Sequence, residues 1–198
     1  MYCKSLKIIT IVSAILLGAA ANAQARHEFC GAAPAAGFDQ PPNMPHLGRY
    51  VNKSYGYEVT IPRGLTAFSA AVGPERGIGI VLSWTPRAFL SVDASYDVFY
   101  DITAAGVHRR DLNAITLHDS VLNDARSAVK LDGMAAERYQ TRAQCGGDPT
   151  VYVHESVIVV RDREIYRLNL QSLPERLQAD DALLSAMLKS WKWQRAAQ

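Results

Sequence analysis

The sequence predicts an α+β domain: an antiparallel β-sheet with two helices packed against it, preceded by an irregular N-terminal arm. Three observations carry that class. Several segments alternate apolar and polar residues with a period of two, only two segments show a helical period, and strands and helices do not alternate regularly as parallel βαβ units would require. The 198 residues suit one domain of ordinary size. With 48% hydrophobic and 20% charged residues, a disordered or collagen-like chain is excluded. The chain divides into a signal peptide (1–23), an arm rich in Pro, Gly and Ala (24–49) and a single α+β domain (50–198).

The start reads as an export signal. Lys4 and Lys7 form a positive n-region, and IITIVSAILLGAA (8–20) forms an apolar core. Ala21 and Ala23 supply the small residues a signal peptidase reads, which makes Gln24 the mature terminus; Ala23 and Ala25 frame a second site before Arg26. The apolar run is short for a span of roughly 20 residues, and no second long run follows. His27-Glu28-Phe29 before Cys30 is no lipobox. Losing Lys4 and Lys7 takes the 21 basic residues to 19, level with the 19 acidic ones, so the mature chain is formally neutral. That argues against a strongly basic nucleic-acid binder.

Cys3 leaves with the signal peptide, and Cys30 and Cys145 remain. No CxxC and no nearby His–Cys spacing points to a metal or redox pair, so in an oxidising compartment the expectation is a disulfide. It would close a loop of about a hundred residues, a constraint that chain-entropy arguments value at roughly 4–5 kcal/mol.

Residues 31–49 hold Pro34, Pro41, Pro42 and Pro45 without strand or helix periodicity, so the arm is read as irregular. In YGYEVTIP, Tyr57, Val59 and Ile61 alternate with Glu58 and Thr60 as in a half-buried strand, which Pro62 ends and Gly64 turns. GIGIVLSW (77–84) sets Ile78, Ile80, Leu82 and Trp84 on one face. After Thr85-Pro86-Arg87, Leu90, Val92, Ala94 and Tyr96 repeat the alternation, an antiparallel hairpin. Over 103–117 the period lengthens: Ala105, His108, Leu112 and Ile115 share a helical face, Asp101 favours the dipole, and Gly106 costs about 1 kcal/mol relative to Ala. Three strands follow Asp119: residues 134–142, YVHESVIVV, and EIYRLNL, the last two joined by the polar Arg161-Asp162-Arg163. A final helix carries an apolar stripe of Leu184, Met187, Leu188 and Trp191, with Asp180 as its cap. Periodicity places both helices on one face of the sheet.

The order of these elements resembles the PsbP-like superfamily, which includes the bacterial DcrB-type envelope proteins. The segments that carry the resemblance are YGYEVTIP with Gly64-Leu65, LDGMAAERY (131–139), EIYRLNL, and the closing SWKW (190–193) after a helix. The resemblance implies an α-β-α sandwich around an antiparallel sheet. It also implies an accessory, chaperone-like or binding role with no shared catalytic set, so no active-site residue carries over.

Motifs whose spacing follows from mechanism are missing from the sequence: there is no GxSxG elbow, no P-loop, and no GxGxxG after a strand. His154-Glu155 lacks the second histidine of a zinc-protease helix and sits in a β-branched run. The five histidines, His27, His46, His108, His118 and His154, are scattered, so no metal is assigned. His118-Asp119-Ser120 has the residue types of a hydrolase, but its position after a helix reads as a cap and turn, and no catalytic residue is assigned. Tyr50, Tyr55, Tyr57, Tyr96, Phe99, Tyr100, Tyr139, Tyr152 and Tyr166 read as sheet residues before they read as a sugar or peptide groove. Arg138, Arg142 and Arg167 are the candidate interaction face, suited to an acidic partner.

These readings converge on an exported, periplasmic or secreted accessory or binding protein of the bacterial envelope. It would need no cofactor and act through contact with another envelope protein, with no nucleic acid and no membrane span after cleavage. A small-ligand carrier is the alternative, and a secreted hydrolase using His118 and Asp119 a more distant one. Peptide mapping of the unreduced mature protein is expected to yield a Cys30–Cys145 linked pair; two titratable thiols in the exported chain would contradict it.

Overall fold

Residues 43–70, 76–84, 87–96, 102–147 and 149–194 are described by a computed structural model. Within them the chain runs β1 (Asn43–His46), β2 (Arg49–Asn52), β3 (Tyr57–Thr60), β4 (Ala67–Ala70), β5 (Gly77–Trp84) and β6 (Arg87–Tyr96). Then come α1 (Ala104–Thr116), β7 (Ser120–Leu131), β8 (Met134–Gln144), β9 (Val151–Arg161), β10 (Glu164–Ser172), α2 (Leu177–Ser190) and β11 (Lys192–Trp193). An eight-stranded antiparallel sheet has the order β1-β4-β5-β6-β10-β9-β8-β7, and a small sheet has the order β11-β3-β2. The signal peptide, Cys30, Asp101, Phe99 and Tyr100 lie outside the described residues.

Two tight hairpins set the register of the sheet's centre and one edge. Asp132 and Gly133 join β7 to β8 with φ of 45° and 87°, and Asp162 and Arg163 join β9 to β10 with φ of 50° and 69°. Positive φ at both central residues matches the right-handed twist of the flanking strands. The Asp132 carboxylate also accepts from Trp193 N at 3.0 Å and Lys192 Nζ at 3.1 Å, so the β7–β8 tip is tied to β11. Those donors hold the Asp132 carboxyl below the usual carboxylate range.

Alternation then separates two cores. One face of the large sheet presents Leu90, Val92, Val157, Val159, Leu168 and Leu170 to Leu184, Met187 and Trp191 of the α2 region and to Tyr50, Tyr57 and Val59 of the small sheet. Trp191 stacks on Tyr57 with centroids 4.6 Å apart. The other face meets α1: Val107 packs with Tyr139, Ile158 and Ile165, and Ile115 with Ala143, Cys145 and Tyr152. The helices therefore cover opposite faces, the sandwich that the resemblance implied, and not the single face that periodicity suggested. The reason lies in β9, whose residues 152–159 are buried throughout; Val157 and Val159 need cover on one side and Ile158 on the other.

Other differences are local. Residues 43–46, read as irregular, form β1; it is an edge strand, where Pro45 removes no needed donor. The α1 face is Val107, His108 and Ile115, with Ala105 exposed, and Thr103 caps it by accepting from Gly106 N at 3.1 Å. Asp180 lies inside the first turn of α2 behind Arg176; it is buried and accepts from Ser172 Oγ at 2.6 Å, which ties α2 to β10. The strand at 120–131 was not read from the sequence at all.

Candidate functional site

Beneath α1 the sheet is unusually polar. Strand register aligns Asp124, Thr141, His154 and Gln171 in one row across β7, β8, β9 and β10. The next row holds Arg126, Tyr139, Ser156, Asn169 and Ser91. Buried polar groups cost free energy unless paired, and here most are paired. Thr141 Oγ1 donates to Asp124 Oδ1 at 2.7 Å, and His108 Nε2 lies 2.9 Å from Asp124 Oδ2. Ser156 Oγ donates to Asn169 Oδ1 at 2.7 Å, and Asn169 Nδ2 donates to Ser91 Oγ at 3.3 Å. Arg167 stands between Asp93 at 3.5 Å and Asp111 at 3.4 Å, which joins β10 to β6 and to α1. Burial raises the Asp93 and Asp111 carboxyls, an effect the Arg167 charge opposes.

His108 is the bolt of this layer. Its ring stacks on Tyr139 with centroids 3.8 Å apart and an 11° interplanar angle, while Nε2 holds Asp124. A histidine–carboxylate pair serves catalysis when the imidazole activates a nucleophile. Here the hydroxyl of Thr141 donates to the carboxylate and not to the ring. The arrangement fastens α1 to β7 and β8. His154 lies on the same face, and its Nδ1 has no hydrogen-bond partner among the described residues. Burial, reinforced by the charge of His108, pushes its pKa down to about 4, so it is neutral at pH 7.

His118 and Asp119 occupy the turn from α1 into β7, their N–H groups both donating to Ile115 O, and His118 is exposed. The Asp119 carboxylate accepts from Gly146 N at 2.9 Å and Tyr152 OH at 2.7 Å, which fixes the β8–β9 connection. Burial, then the bond to Asp119, raises the Tyr152 phenol strongly. Among the described residues, no group of three or more His, Cys, Asp and Glu side chains is placed to hold a metal ion.

At its far end the sheet changes character. Among the described residues β7 pairs with β8 on one side only, and its residues 122–128 are all exposed, at the limit of the polar rows just described. A long open edge presents backbone donors and acceptors to any strand that approaches.

No family model and no curated protein matches the chain. Among solved structures it is similar to the cyanobacterial PsbP protein CyanoP from Synechocystis, with a TM-score of 0.51 and 18% identity over 82% of this chain and 98% of that one. The fold is PsbP-like. PA94 from Pseudomonas aeruginosa, a protein of unknown function, matches with a TM-score of 0.44 and 13% identity over 66% of this chain and 92% of that one. LpqN of Mycobacterium tuberculosis, described as involved in cell envelope biogenesis, matches with a TM-score of 0.38 and 13% identity over 79% and 88%. These likenesses concern the fold and assign no residue a role.

On the PsbP-like sheet the three arginines do not form one face. Arg138 and Arg142 share the α2 side of β8, whereas Arg167 lies on the α1 side of β10, because register pairs Arg167 with Ile158 and Arg138 with Val157. Arg138 is bound to the buried Glu155 and to Asp181 of α2, and Arg142 is exposed. Of the tyrosines, Tyr50, Tyr57, Tyr139, Tyr152 and Tyr166 are buried, and Tyr96 is exposed. Sequence reasoning missed β7, although Asp132-Gly133 between SAVKL and MAAERY is a hairpin signal that would have found it.

The neutral, buried His154 sets an acid limit. The unfolded chain takes up a proton near 6.5 that the folded chain refuses until about 4, so stability is intact above 6.5 and falls as pH drops between these values. The expected loss attributable to this group is roughly 3 kcal/mol at the acid end. Denaturant unfolding from pH 7 to 4 should show it in the wild type and lose it in His154→Gln; an identical slope in both proteins contradicts the assignment.

Proposed function

We propose that this chain is an exported, non-catalytic accessory protein of the bacterial envelope that works by protein–protein contact through the β7 edge. The signal peptide cleaved before Gln24 delivers it to the periplasm or the medium, and a Cys30–Cys145 disulfide fastens its N-terminal arm to the body. The exposed run at 122–128 on an edge strand is the observation that carries the reading. An extended segment of a partner adds to such an edge through main-chain hydrogen bonds, and β7 has the length to accept one. Two further observations agree with it. The paired groups under α1 fasten elements together, and among the described residues no helix is long and apolar enough to cross a membrane. The partner is a protein chain of the same compartment, and neither cofactor nor nucleic acid enters the reading.

Proline tests the edge. Neighbouring residues of a strand point their N–H groups to opposite sides, so of Ala125→Pro and Arg126→Pro one removes a donor to β8 and the other a donor to the open side. Exported wild type with its disulfide intact, immobilised in native envelope extract, is expected to retain a stoichiometric protein. The variant that keeps the wild-type melting temperature should lose it. Equal retention by that variant, or no retention by the wild type, overturns the reading.

A further inference from the structure

The middle of β7 is complementary to itself. Residues 123–127 read Asn-Asp-Ala-Arg-Ser, so a two-fold axis through Ala125, normal to the sheet, sets Asp124 of one copy against Arg126 of the other, twice. On the opposite face the same axis sets Asn123 against Ser127, twice. An antiparallel pairing about a local dyad keeps each face with its own face, and cross-strand pairs of opposite charge or hydrogen-bonding partners are the unit of sheet stability. The side chains involved reach solvent, Asp124 at 30% and Arg126 at 60%, and each also has a partner in its own chain, the His108 ring for Asp124 and the Glu137 carboxylate for Arg126. Shifting the dyad by one residue to Arg126 would oppose Asp124 to Ala128 and the arginine to itself. The charge pattern therefore favours this register over the shifted one.

Resting on the reading that β7 is the binding edge, we infer that its partner is a second copy of this chain, paired β7 to β7 with Ala125 on the axis. The shift in the β7–β8 register between Val121 and Asn123 bounds the pairing, since a bulge bends the strand away. Leu122, 55% exposed at that bulge, flanks the pairing at each end opposite Ala128 of the other copy, and Leu117, 76% exposed, stands just before β7. So short a contact buries less than the roughly 1,000 Å² of a standard interface, which makes the dimer a weak and reversible one.

Sedimentation equilibrium of the exported protein over a rising concentration range is the test. The wild-type mass should climb from one chain towards two. R126D sets carboxylates against carboxylates on the dyad and should weaken association by about tenfold or more. D124R/R126D restores opposite charges and should recover it, with melting temperatures checking each fold because Asp124 also holds His108. A wild type that stays monomeric throughout, or an R126D protein that associates as well as the wild type, overturns the second copy as partner. If the wild type stays monomeric while the edge-blocking proline still abolishes capture of another protein, the edge reading stands and only the self-pairing falls. If neither occurs, both fall.

Discussion

The structure depends on one strand being buried on both faces. From residue 152 to 159 every position of β9 is inside, so the chain must supply cover above and below the sheet. α2 and the small sheet fill one side with Leu184, Met187, Trp191, Tyr50 and Tyr57, and α1 fills the other with Val107 and Ile115. That requirement makes the sandwich. It also decides where cover runs out: at β7, two strands from β9, residues 122–128 are exposed and α1 reaches the strand through His108 on Asp124.

The two faces solve burial differently. The α2 side is mostly apolar, joined by stacked rings and by ionic knots, Arg138 with Glu155 and Asp181 and Arg176 with Asp180. The α1 side is polar and is tied together by His108 with Asp124, Ser156 with Asn169 and the ion pairs of Arg167 with its two aspartates, while His154 Nδ1 and Arg167 Nε have no hydrogen bond among the described residues. Such a layer adds little net stability compared with an apolar one, but each pair is lost if the helix slides, so it specifies where α1 sits. His154 is the member kept neutral by burial, and it gives the layer its acid sensitivity.

What the sequence made legible follows from the same asymmetry. β3, the β5–β6 hairpin and β10 each have a buried face, so Tyr57 with Val59, Ile78 with Ile80, and Leu168 with Leu170 alternate visibly. The α2 stripe was readable for the same reason. β7 is covered on neither face along most of its length, so SVLNDARSAVKL has no apolar period to find, and only its Asp-Gly turn betrays it. The side of the sheet each helix takes was not readable from the helices, because it is set by β9, whose run of Val and Ile conceals its two faces. Parity along separate strands cannot part Arg167 from Arg138, because it says nothing until register is known.

On the proposed reading, contact is made at β7, the strand where the sheet ends open among the described residues. Hydrogen exchange, followed residue by residue in the protein at low and high concentration, is the deciding measurement. The β9 and β10 amides should exchange only by global unfolding at both concentrations. The outward amides of residues 123–127 should exchange fast when dilute and slow when concentrated. Amides of β7 as protected as those of β9 in dilute protein, and indifferent to concentration, would contradict it.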